Sequence, residues 1–171
     1  MSLTLKQTEA APAAYPAIEG VTGAALAIAW QRIEHYIAWR FAVREVVWHV
    51  QSDGCEWRAP LAPVVSLTAQ EGEEAASEPE AGAMGGWVLP CGEVTVTAQV
   101  GAEPVPEVVA EAVRRYAAYL VKLDASDGPP PGVTRIASGD IGLSFRLEER
   151  SLAMGLVNSG AADLLRAYRR T

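Results

Sequence analysis

A chain of 171 residues, half of them hydrophobic and a fifth charged, has the size of one globular domain with a real core. Its formal charge of −7 lacks the surplus of Lys and Arg that general nucleic-acid binding needs to displace counterions. Cys55, Cys91, His35 and His49 lie at no zinc-like spacing, and the apolar run over residues 21–30 is too short to span a bilayer.

The two cysteines read as small buried hydrophobes in a reducing cytoplasm. Residues 1–16 hold one lysine and no early apolar core, so they do not form a secretory signal. The protein is therefore expected to act where it is made. Residues 1–20, rich in Ala, Pro and Thr, show no convincing period and read as an extended arm.

A helix follows over about 23–39. Leu26, Trp30, Ile33 and Ile37 form its buried stripe, and Gln31, Arg32, Glu34 and His35 form its solvent side. The period then changes to two: Val46, Trp48 and Val50 alternate with Val47, His49 and Gln51. Asp53-Gly54 predicts a hairpin, with residues 55–58 returning antiparallel. Prolines at 60 and 63 interrupt the ladder, and 64–69 resume as a strand or edge. The spacing of Trp30, Trp39, Trp48 and Trp57 by nine spans a helix and a hairpin and is no repeat.

Residues 71–86 stand apart. Glu71, Glu73, Glu74, Glu78 and Glu80 contribute −5 with no compensating base, and a Gly-rich run follows, which predicts a mobile acidic loop. Residues 93–100 alternate cleanly, with Val94, Val96, Ala98 and Val100 facing in. Pro104 and Pro106 introduce a second helix over about 107–123, with Val109, Ala112, Val113, Tyr116, Ala117 and Leu120 on its apolar stripe. Glu111 and Arg115 form an outer i, i+4 ion pair. A proline loop spans 127–132, and Ile141, Leu143, Phe145 and Leu147 mark another one-faced strand.

The chain ends on a basic, amphipathic tail. Leu164, Leu165 and Tyr168 share one side of a short helix; Ser159 or Asn158 can cap it, and Arg166, Arg169 and Arg170 suit its C-terminal end. Two readings stay open on the residues alone: a last helix packed on its own core, or a docking element with an apolar anchor and orienting charges. The expected fold is α+β, two main helices packed with a small antiparallel sheet, with an extended N-terminal arm and a C-terminal docking helix. Its segments are the arm at 1–20, a core at 21–150 with the acidic loop at 71–86, and the tail at 151–171.

No arrangement of reactive residues stands out. There is no Gly-x-Ser-x-Gly elbow, and His49 on a strand reads as half-exposed rather than as a base. The acidic loop lacks the spacing of a calcium site, and its glycines lack the Lys-Ser/Thr of a phosphate loop. Arg114, Arg115, Arg166, Arg169 and Arg170 have neither a glycine-rich turn nor an aromatic platform to hold an anion and read as solvated surface or protein contacts. Neither enzymatic activity, a cofactor nor a metal is expected.

In order along the chain, four pieces resemble the head–tail connector, or adaptor, family of tailed phages and gene transfer agents. They are Ile33-Glu34 with Arg40 at the end of the first helix, residues 57–67 as a tryptophan- and proline-punctuated strand pair, Val105-Pro106 opening the second helix, and Leu164-Leu165 with Tyr168-Arg169 as the closing "LL…YR". Together they span roughly residues 25–170. The chain departs from the family in two ways: many members begin with an additional helix, which the Pro-rich residues 1–20 do not supply, and the acidic loop is longer than usual.

The resemblance implies a ring, usually twelvefold, seated beneath the portal at the neck of a virion or phage-like particle and assembled in the bacterial cytoplasm. Its partners are then further copies of itself, the portal protein and the next neck or tail component, and DNA passes through without specific binding. No membrane is involved. Twelve copies at −7 carry about −84, a field that keeps DNA off a channel wall. On this reading the tail (Leu164, Leu165, Arg166, Tyr168, Arg169 and Arg170) docks on the portal, the acidic loop faces the channel or a neighbour, and truncation before Leu164 leaves the fold intact. The alternatives are a stopper or tail terminator of the same machine, a small host protein-binding module, or an enzyme with an unrecognised site.

Overall fold

Ten-residue alternation places β2 (Arg44–Asp53) and β7 (Cys91–Val100) side by side at the centre of an antiparallel sheet. In the computed structural model, which describes residues 2–102, 104–125, 135–138, 141–144 and 154–169, β1 (Leu3–Glu9) borders β2 and β4 (Val64–Glu71) borders β7. Three short strands, β3 (Glu56–Trp57), β5 (Glu80–Ala81) and β6 (Trp87–Val88), form a second antiparallel sheet in the order β3-β6-β5. The inward residues Val46, Trp48, Val50, Val94, Val96, Ala98 and Val100 share one core cluster with Trp57, Leu61, Leu67 and Leu89. Trp48 meets Trp57 edge-on at 5.4 Å between ring centroids, a geometry aromatic pairs favour. The alternation read from the sequence is the alternation of the core.

The fold is thus α+β, and its chain divides into two compact units. The first comprises Met1–Ala17, Glu34–Pro106 and Tyr168–Thr171 and contains both sheets. The second comprises Ile18–Ile33 and Glu107–Ala167, so helix α1 (Ala24–Ile37) contributes to both. These units cut across the arm, core and tail expected from the sequence. In the second, α2 (Glu107–Ala125) packs with two four-residue helices, α3 (Gly155–Asn158) and α4 (Ala161–Leu164). Gly155 sits where a Cβ would come within 3.0 Å of Tyr116 and 3.2 Å of Tyr119, so α3 approaches that stacked tyrosine pair closely. All six residues expected on the α2 stripe are buried. A hairpin of β8 (Arg135–Ser138) and β9 (Ile141–Ser144) follows α2; β8 was not foreseen, and Phe145 and Leu147 lie outside the described residues.

Several expectations need correction. Residues 3–9 are not a free arm but an edge strand, because Thr4 and Gln7 accept the indole N–H groups of Trp57 and Trp48 at 2.9 and 2.8 Å. The Asp53-Gly54 turn forms, with Gly54 at φ +79° and its N–H on Ser52 Oγ. Yet residues 55–58 do not return on β2, whose second edge is filled by β7 over ten residues. They leave for the small sheet, where Glu56 and Trp57 pair with Val88 and Trp87.

The acidic segment is likewise not a loop throughout: Ser77 bridges Ala69, and Glu80–Ala81 is a strand. Leu26 is only half-buried, and Glu34, expected on the wet face, is buried. Cys55 and Cys91 are exposed, since one follows the Gly54 turn and the other opens β7 opposite Asp53.

Candidate functional site

The most constrained group of polar side chains lies where α1 hands over to β2. Glu34, in the last turn of α1, is 1% exposed, and Arg40 and Arg44 are 1% and 6% exposed. Charges this deep persist only when paired and hydrogen-bonded. Arg44 Nη2 donates to Glu34 Oε2 at 2.7 Å, and the other Glu34 oxygen accepts the backbone N–H of Phe41 at 2.7 Å and of Ala42 at 3.3 Å. Arg40 Nη1 donates to the Glu34 carbonyl at 2.5 Å, the sort of C-terminal carbonyl that a helix leaves open.

Glu9 at the end of β1 closes the group. Arg40 reaches it through Nε (2.6 Å) and Nη2 (2.9 Å) as a two-pronged fork, and Arg44 Nη1 adds a third bond at 2.9 Å. Partial burial pushes the Glu9 carboxyl up. The hydrogen bond and charge of Arg40, with the charge and hydrogen bond of Arg44, outweigh burial and hold it below the ordinary carboxylate range. The Tyr15 ring lies 5.5 Å from the Arg44 guanidinium carbon.

Two acids and two arginines therefore tie β1, the end of α1 and the start of β2. Among the described residues no buried side-chain N or O lacks a partner. Such a closed set of ion pairs braces a junction. Sequence reading missed the set, although the alternation of β2 carried one signal: Arg44 stands in phase with Val46, Trp48 and Val50.

The basic tail is not one helix. It starts after Ser159, one of the two expected caps, whose Oγ accepts the Ala161 N–H at 3.4 Å, but α4 ends at Leu164 and the chain passes into a 3₁₀ turn at Arg166–Tyr168. Leu165 is wholly buried and is therefore lost as an exposed anchor, while Leu164 and Tyr168 are half-buried. Arg166 and Arg169 are exposed, and the Arg169 guanidinium lies 5.3 Å from the centre of the Tyr36 ring. Arg170 lies outside the described residues.

All five acidic-segment glutamates, Glu71, Glu73, Glu74, Glu78 and Glu80, are exposed. Just beyond them a separate carboxylate, Glu56 on β3, builds a tight loop. Its oxygens accept the N–H of Met84 at 2.9 Å and of Gly86 at 2.6 Å, and Arg58 Nη2 donates to the Met84 carbonyl at 2.5 Å. A Cβ at Gly82 would fall 2.3 Å from the Glu56 side chain, and one at Gly86 would fall 2.3 Å from the Trp57 carbonyl. Only glycine allows the loop to close on its clamp.

His49 is exposed, with Thr95 Oγ1 at 3.4 Å from Nδ1. Among the described residues no group of three or more His, Cys, Asp or Glu is placed to hold a metal ion. No helix among them is long and apolar enough to cross a membrane. No family model, no curated protein and no solved structure matches the chain.

Proposed function

We propose that the chain is a structural head–tail adaptor of a tailed phage or phage-like gene transfer agent, forming a ring under the portal that joins capsid to tail. The observation that carries this reading is where the four resembling pieces fall. Glu34 and Arg40, six residues apart, meet in one buried brace at the α1 exit. Trp57 and Leu61 enter the sheet core, and Pro106 immediately precedes α2, where a missing N–H costs nothing. Leu165 and Arg169 in the closing piece make specific contacts with their own chain, one by burial and one over Tyr36. Residue types quoted for a family resemblance thus occupy structurally demanding positions.

Portal docking then falls to the exposed Arg166 and Arg169, with Arg170, and to the half-buried Leu164 and Tyr168 as apolar contacts. Charges of this kind set orientation and on-rate more than affinity. The exposed glutamates of the acidic segment supply repulsion towards passing DNA. Native mass measurement of the chain alone and with cognate portal protein tests the reading. A ring, or a portal–chain complex, is the expected result; a monomer that does neither refutes it.

A further inference from the structure

Among the exposed large hydrophobics of the described residues, Met84 stands out at 68% exposure. It does not hang loose: the Glu56 clamp, the Arg58 bond to its carbonyl, and the Gly82 N–H bond to Gly86 O at 2.8 Å pin the loop around it. Gly82 and Gly86, which leave no room for a Cβ, and Gly85 at φ +81° are committed to holding one apolar side chain out in water. Pinning a tip in advance removes the ordering cost of binding, and methionine adapts to an irregular apolar site.

The second unit carries a matching feature. An open groove of about 520 Å³ lies between the chain entering α1 and the outer face of α2, with Val21, Ala25, Ala118 and Val121 along its apolar lining. That volume is in the range of sites that take a bound group. Arg114, Lys122 and Glu19 also border it. Arg114 is matched by Glu107 and Glu111, whereas Lys122 makes no ion pair among the described residues. The groove therefore suits an apolar tip beside a carboxylate. Met84 is such a tip, with Glu78 and Glu80 exposed just before it.

We infer that the Met84 tip of one copy inserts into the α1–α2 groove of a second copy, with Glu80 or Glu78 near Lys122. Two different surfaces of the same chain then meet, a head-to-tail contact that repeats from copy to copy and closes into a ring where the rotation allows. The inference rests on the adaptor reading and supplies that ring with its subunit contact.

Photocrosslinking tests it on the full chain. With p-benzoylphenylalanine at position 84 in a mixture of isotopically heavy and light chains, heavy–light crosslinks are expected within residues 18–25 and 114–122. Met84→Asp, at an exposed position, should fold normally and weaken self-association about ten-fold, the equivalent of ~1.4 kcal/mol. Glu80→Lys and Lys122→Glu should each weaken it, and the two together should restore it. Crosslinks that land elsewhere, or Met84→Asp rings that form within about two-fold of the normal concentration, overturn the inference and leave the adaptor reading standing. A wild-type chain that neither self-associates nor binds portal protein removes both.

Discussion

Replacing Glu34 by alanine separates a buried brace from a surface helix residue. Its carboxylate takes three hydrogen bonds, from Arg44 Nη2 at 2.7 Å and from the N–H groups of Phe41 and Ala42 at 2.7 and 3.3 Å. Breaking a buried ion pair by removing one partner costs about 3–5 kcal/mol, and each stranded backbone N–H about 1–3 kcal/mol. Arg44 retains Glu9 at 2.9 Å and the Ala42 carbonyl at 3.0 Å, so its charge stays paired and the ion-pair cost falls to about 1 kcal/mol, beside about 1 kcal/mol for each of the two N–H groups. A loss of about 3 kcal/mol, with an m value near 2 kcal/mol/M, lowers the urea midpoint by about 1.5 M.

Urea unfolding followed by tryptophan fluorescence measures this shift. Glu111→Ala serves as the control, because that carboxylate sits on the outer face of α2 in exposed pairs with Arg114 and Arg115 and should barely move the midpoint. Glu34→Ala with Arg44→Ala should cost less than the two changes added, as members of one network do. A Glu34→Ala midpoint within about 0.3 M of the parent would refute the reasoning and return Glu34 to the solvent face.

Four other outcomes are expected. The Glu9 carboxyl is held below its reference value of 4.5, so its contribution is present above that pH and fades as pH falls through the folded value. Amide exchange of β1 should accelerate in acid, and Glu9→Gln should remove that pH dependence; an unchanged acid profile in Glu9→Gln would count against it. Ala38, just past α1, sits at φ 54°, a left-handed conformation costing a non-glycine residue ~1–2 kcal/mol. Ala38→Gly should raise stability by about 0.5–1 kcal/mol after glycine's own entropy, and a lower melting temperature would refute it. Truncation before Leu164 should lower stability by about 2–3 kcal/mol, since Leu165 is wholly buried. Arg166→Glu with Arg169→Glu should leave circular dichroism unchanged while weakening portal attachment.

What the sequence made legible was governed by period. The inward set of β2 and β7 and the stripe of α2 announce themselves through spacing of two or of three and four, because a half-buried element needs only its own residues to show a face. Glu34 defied that rule: its helical position resembled a wet one, and what buries it is a pair of arginines beyond the helix end. The strand at 3–9 was hidden for a related reason. Leu3 and Leu5 are exposed, and its anchors are polar atoms meeting Trp48, Trp57, Arg40 and Arg44, more than thirty residues away in sequence. The tail motif was visible as residue types, but Leu165 and Arg166 share a turn and have opposite fates. A helical wheel could not tell an anchor for a partner from an anchor for the chain itself.

Charge explains why an apolar tip should carry contact between copies. Arg40 and Arg44 are matched by Glu9 and Glu34, so the brace is neutral and the chain's −7 falls on everything outside it. The acidic segment supplies five of those negative charges, all exposed and close in sequence to Met84. Two such copies repel at long range, and a single Lys122 pair cannot offset that in water, where an exposed ion pair contributes at most about 1 kcal/mol. Burying a methionine side chain contributes ~1.5–3 kcal/mol and does not depend on the sign of its surroundings. Salt within the physiological range screens the repulsion over ~8 Å and leaves the apolar term untouched. A tip held rigid by a clamp and flanked by acids therefore associates best where counterions are plentiful, and the acids select for a groove bordered by a cation such as Lys122.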